Sequence, residues 1–142
     1  MTFVYTTNLS EVRVLAETQA RRAGLAEDRI VDFVIAVSEI AANTVRHARS
    51  PGSMEIWSEA GEIICEMRDG GVIADPASAG RQPPAANASG GHGLWLVHQI
   101  CDMVELHSDA GGTTIRLHMS LPPPGRQARD SPGSNGAATT PM

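Results

Sequence analysis

Glu39 and Asn43 stand one helical turn apart in the run Val37-Ser38-Glu39-Ile40-Ala41-Ala42-Asn43-Thr44-Val45-Arg46-His47-Ala48. Wound as a helix at about 100° per residue, this run divides into two faces. Val34, Val37, Ile40, Ala41, Val45 and Ala48 fall on one side. Asp32, Glu39, Asn43 and Arg46 fall on the other, with His47 at the edge. A carboxylate and a carboxamide so spaced can point into a single cleft. Alone, the same stripe is equally the wetted side of a surface helix.

Two further stretches carry chemical potential. Gly91-His92-Gly93-Leu94 places glycines directly before an apolar helical pattern. Free backbone N–H groups, close approach of the chain and the helix dipole together suit an anion there. Asp69 closes an alternating segment and is followed by Gly70 and Gly71. A carboxylate at a strand end can accept a hydrogen bond from an exocyclic amine, and the glycines let a flat ring approach. Taken singly, each motif is also an ordinary loop end or turn.

The elements that must position these residues follow in order. Phe3-Val4-Tyr5 suits an edge strand, and Asn8-Leu9-Ser10-Glu11 has the form of a capping box. The helix it opens carries Val12, Leu15, Ala16 and Gln19 and stops at Gly24. A second helix starts at Ala26-Glu27-Asp28 and ends near Ser50-Pro51-Gly52. Residues 54–59 and 63–69 read as a hairpin turning at Gly61. From Gly70 to His92 no periodicity survives, which marks a lid or binding loop. A helix over residues 94 to about 103 and two strands around Gly111-Gly112 complete the pattern. It predicts an α/β two-layer sandwich, a mostly antiparallel mixed sheet with helices packed on one face. Residues 1–121 would form this domain, and the Pro/Gly/Ser-rich segment 122–142 a disordered tail.

Composition narrows the function. The 142-residue chain is 42% hydrophobic and 19% charged, ordinary for one globular domain. A net charge of −5 without a basic patch argues against direct nucleic-acid binding. All eleven basic residues are Arg. The absence of Lys excludes a P-loop, a Val-Ala-Ile-Lys kinase strand and Schiff-base chemistry. Cys65 and Cys101 read as buried free thiols, and the histidines show no zinc spacing. With no apolar run long enough for a membrane span and no signal-peptide core, the chain is expected in the cytoplasm, away from membranes.

The order of the motifs is more specific than any member. Glu39 and Asn43, then Asp69-Gly70-Gly71, a long loop, Gly91-His92-Gly93, and Gly112-Thr113-Thr114 follow one another along residues 3 to 120. This resembles the Bergerat-type ATP-binding domain shared by gyrase, histidine kinases and MutL. It is most similar to the small single-domain branch, the anti-sigma factor serine/threonine kinases. The resemblance implies ATP and Mg²⁺ as cofactors, with Asn43 on the metal and Glu39 as general base toward a partner's serine hydroxyl. It assigns the adenine amine to Asp69, the space beneath the ring to Gly71, and support of that contact to Thr113 or Thr114. Gly91, His92, Gly93 and Leu94 would hold the phosphates, and residues from about 71 to 90 would be the lid. Arg13 matches an arginine that meets the partner or the nucleotide end. The implied partners are an anti-anti-sigma protein of the sulfate-transporter and anti-sigma-antagonist type, a sigma factor and a second copy of the chain.

Two departures from the family pattern frame the alternatives. Ile73 stands where a second glycine is common, and the lid is rich in Ala and Pro, including Pro83 and Pro84. These fit a nucleotide-gated partner-binding regulator without transfer activity. The nucleotide motifs also fit the catalytic half of a histidine kinase, whose phospho-accepting histidine would lie on another chain.

Overall fold

A computed structural model describes residues 2–47, 50–73, 76, 79–81 and 92–123. The element order is β1 (Phe3–Tyr5), α1 (Leu9–Ala23), α2 (Glu27–His47), β2 (Gly52–Glu59), β3 (Glu62–Asp69), α3 (His92–Ile100), β4 (Met103–Asp109) and β5 (Gly112–Ser120). The strands form one sheet in the order β1-β2-β3-β5-β4. Every pairing among them is antiparallel.

Strand alternation decides which side is buried. On β3, Ile63, Cys65 and Met67 meet the helices, as do their neighbours Ile115, Leu117 and Met119 of β5. These side chains pack with Val12, Ala16 and Ala20 of α1, Phe33, Val37 and Ile40 of α2, and Val97 of α3. Burial of this single cluster is the main favourable term holding the layers together. Both thiols lie inside it, free, and burial pushes Cys101 up to about 12 and Cys65 higher still, so neither is a nucleophile.

Among the described residues, the other sheet face is lined by long side chains of the strands themselves. Glu66 is buried there, with Arg116 Nη2 and Arg68 Nη2 each 2.5 Å from its carboxylate. Arg116 also lies over the Trp57 ring, 5.3 Å from its centre. His118 has one ring nitrogen 3.1 Å from Glu62 and the other 2.7 Å from Glu105. These ion pairs and hydrogen bonds close over the centre of a sheet face that no described helix covers.

Local sequence accounts for the turns. Gly24 ends α1 in the left-handed conformation at φ 89°, where its N–H and that of Leu25 cap the last carbonyls. Ala60 and Gly61, at φ 53° and 79°, form the tight β2–β3 turn.

Several expectations are corrected. Asn8 does not cap the backbone of α1; its side chain donates to Glu11 Oε1 at 2.6 Å and accepts from Thr6 N–H. The buried stripe of α2 runs through Phe33, Ala36, Val37, Ile40, Ala41 and Thr44, while Val45 is exposed. The bulky Phe33 ring and the hydrogen bonds available to Thr44 rotate the helix away from the Val34–Val45 line. Finally, α3 stops at Ile100 and Met103 begins β4, since the Asp102 N–H pairs with His118 O and starts the sheet register.

Candidate functional site

Asp69 ends β3 directly opposite Thr113 of β5. Its Oδ1 accepts the Gly71 N–H at 2.8 Å, which closes the turn after the strand. Its Oδ2 accepts the Thr44 hydroxyl at 2.6 Å, which ties the carboxylate to α2. Glycine is required beside it, because a β-carbon on Gly112, at φ 134°, would collide with the Asp69 carbonyl. Gly70 is held by its own N–H on Ser50 Oγ at 2.9 Å.

Thr113 reaches the segment that follows. Its hydroxyl donates to Gly71 O at 2.8 Å and lies 2.7 Å from Ser108 Oγ, which accepts the Ile73 N–H at 2.7 Å. Two hydroxyls from β4 and β5 therefore fix the first residues of the loop. Ile73 joins this arrangement through its backbone, so its side chain is not what holds it. Thr114 is corrected as a site residue: it pairs with Arg68 and His107 on the opposite sheet face, where the pleat turns it away from Asp69.

At the other end of the same stretch of α2, Glu39 meets the first turn of α3. A β-carbon on Gly93 would stand 2.5 Å from Glu39 Oε1 and 3.4 Å from its Cβ and Cδ, so only a bare backbone fits. Gly93 is buried, and Leu94 behind it anchors the turn in the core. Asn43 sits one turn on, half-buried, with its Oδ1 accepting from Arg46 Nη2 at 2.7 Å. Arg13 of α1 donates to Ser38 Oγ at 3.3 Å, beside Glu39. From the Asp69 anchor at Thr44 back to Glu39 the helix rises about 7–8 Å. Along α2, then, Thr44 anchors a carboxylate acceptor, and within about two turns stand a carboxylate against a glycine backbone and a carboxamide.

Part of the loop lies on α3. Gly80 packs so closely that a β-carbon would stand 2.6 Å from Leu94 Cγ and 3.0 Å from the Leu94 backbone. His98 Nε2 is 3.1 Å from Ala79 O. Burial, with Arg81 nearby, holds the His98 imidazole below its usual range, so it donates as a neutral ring. Gly91, Pro83 and Pro84, most of the lid expected over 71–90, the His92 side chain and the tail from 124 lie outside the described residues.

Sequence reading missed Tyr5, Thr44, Ser50 and Ser108. Thr44 carried a visible signal, a hydroxyl in a row of buried apolar positions; the other three are brought in only by the fold. Asp32, grouped with Glu39 by helical period, turns instead to Arg29 at 3.2 Å.

Helices over one face of an antiparallel sheet, with a strand-end Asp anchored to a helix that carries Glu39 and Asn43, define a class. Residues 5–119 match the histidine kinase-like ATPase domain, and the chain belongs to that family. Within it, the chain belongs to the anti-sigma factor kinase branch. It is 32% identical over 113 residues to the serine-protein kinase RsbW of Halalkalibacterium halodurans, across 70% of this chain and 68% of that one. The fold matches the RsbW-containing crystal structure of RsbU and RsbW domains from Mycobacterium tuberculosis at TM-score 0.59 and 19% identity. That match covers 87% of this chain and a third (33%) of the longer one. A mycobacterial sensor histidine kinase, MprB, matches at TM-score 0.55 and 14% identity, over 87% of this chain and 99% of that one.

The donor set limits what metal could be held. Among the described residues no three His, Cys, Asp or Glu side chains gather around a common point. A divalent cation would have Asn43 Oδ1 as a protein ligand and would need the oxygens of a bound ligand for the rest. That suits Mg²⁺, which commonly takes few protein ligands and completes its shell with phosphates and water. Also among the described residues, no helix is long and apolar enough to cross a membrane.

Proposed function

We propose that this protein is an ATP-dependent serine/threonine kinase that phosphorylates an anti-anti-sigma antagonist and alternately binds that antagonist and a sigma factor. The observation that carries the reading is α2 itself. Over six residues it presents Glu39 against Gly93 at one end and, through Thr44, holds Asp69 at the other. The adenine amine would donate to Asp69, with Gly71 beneath the ring and Thr113 supporting Gly71. The phosphates would lie over the start of α3 at Gly91, His92, Gly93 and Leu94. Mg²⁺ would take Asn43 Oδ1, which requires Arg46 to leave that oxygen and frees its guanidinium for phosphate charge. With Mg²⁺ bound, the phosphoryl group's charge is partly neutralised.

Glu39 would remove the proton from an incoming serine hydroxyl. It is half-buried, and Arg13, which would meet the partner, bonds to the adjoining Ser38. Transfer by positioning and electrostatics asks for little else from the chain. The relative named a serine-protein kinase supports this over the histidine-kinase alternative. The protein would act in the cytoplasm, as a homodimer. Calorimetry with ATP and Mg²⁺ tests the nucleotide half of the reading. Saturable binding, lost in Asp69→Ala, is expected; tight antagonist binding with no ATP affinity would favour a regulator without transfer activity.

A further inference from the structure

Tyr5 lies on the first strand, outside the cleft, yet its hydroxyl is 3.3 Å from Thr44 Oγ1, and Thr44 in turn donates to Asp69 Oδ2 at 2.6 Å. We infer that Tyr5 and Thr44 are positioning residues forming a directed hydrogen-bond relay, which aims Asp69 and sets the selectivity of the site for a purine bearing an exocyclic amine. This rests on the nucleotide reading of Asp69 above.

The direction of the relay follows from proton inventory. Burial pushes the Tyr5 phenol up to about 12, so it keeps its proton at any working pH. Thr44 has one proton, and its short bond is to Asp69, so its oxygen receives the Tyr5 proton. The weaker 3.4 Å approach of Thr44 to Ile40 O does not compete. Asp69 therefore receives Thr44 on Oδ2 and Gly71 N–H on Oδ1, each oxygen keeping a free lone pair. A carboxylate held this way accepts from an adenine amine and repels the carbonyl oxygen that guanine presents at the same position.

The surroundings hold the relay in place. Tyr5 is 1% exposed and Thr44 3% exposed, so neither is available to water. Tyr5 pairs with Gly52 on β2, and the phenol lies across that glycine where any β-carbon would strike the ring. The edge strand and Gly52 thus aim a hydroxyl at α2, and α2 aims a carboxylate at the ligand.

The test compares binding of fluorescent adenine and guanine nucleotides, with Mg²⁺, to the full chain and its variants. Thr44→Val should weaken adenine binding by about tenfold, leave guanine binding unchanged, and be rescued by Thr44→Ser. Tyr5→Phe should lose about two- to fivefold on the adenine ligand only, and add nothing on top of Thr44→Val. If Thr44→Val does not fold, Tyr5→Phe carries the same selectivity test. Unchanged selectivity in Tyr5→Phe and Thr44→Val, or full additivity of the two, would overturn the relay while leaving Asp69 in its role, provided Asp69→Asn abolishes binding. Failure of the unaltered protein to bind adenine nucleotides would instead overturn the nucleotide reading, and the relay with it.

Discussion

The backbone of Gly93 lies against the carboxylate of Glu39, leaving 2.5 Å between Oε1 and the place a β-carbon would occupy. This contact joins α2 to the first turn of α3 and puts the candidate base beside the candidate phosphate cradle. Gly93→Ala should push Glu39 aside more than it disturbs the fold. Misplacement by about 1 Å is enough to cost on the order of a hundredfold in rate. Steady-state transfer kinetics should show kcat falling at least tenfold. An unaltered kcat would mean that Glu39 does not need its present position.

Gly52→Ala should be destabilising, because the new methyl would overlap the Tyr5 ring. Overpacking of this kind costs about 1–3 kcal/mol. Urea denaturation should show it, and the loss caused by Gly52→Ala should be smaller when measured in a Tyr5→Ala background, where the ring is gone.

Among the described residues, Glu66 is the one buried carboxylate, and it lies on the sheet face away from the helices. Burial pushes it up, but hydrogen bonds from Arg116 and Arg68 outweigh that and hold it below the usual carboxylate range. Its contribution to stability is therefore present above the ordinary value and lost as pH falls through the lower folded value. Glu66→Gln should flatten the acid limb of a stability profile, and Arg116→Ala should lower the urea midpoint at pH 7 more than at pH 3. Equal effects of Arg116→Ala at both pH values would contradict this.

His98 gives the opposite side of the site a pH dependence. Its folded value lies below the ordinary one, so the packing of Ala79 and Gly80 on α3 is intact above about 6.5 and weakens as pH drops through the folded value. Hydrogen exchange at Gly80, corrected for intrinsic rate, should accelerate below pH 6, and His98→Leu should remove that dependence.

Much of this was legible in the chain itself. The helix carrying Glu39 and Asn43, the strand ending at Asp69 and the helix opening at Gly93 were each readable, because helical period, strand alternation and glycine turns are local properties. Thr114 was not separable from Thr113 until register set which one faces the helices. The Tyr5–Thr44–Asp69 chain joins three elements 25 to 39 residues apart, and no local pattern encodes such contacts. The rotation of α2 that buries Thr44 and exposes Val45 likewise came from tertiary partners, not from periodicity.

The central claim is that Glu39 acts on a phosphoryl transfer and does not merely line a nucleotide pocket. Incubation with γ-labelled ATP, Mg²⁺ and the cognate anti-anti-sigma antagonist tests it most directly. Label should move to a serine or threonine of the antagonist, and Glu39→Ala should abolish transfer while retaining ATP binding. Equal transfer by Glu39→Ala, or ATP binding with no label transferred by the unaltered protein, would contradict the account.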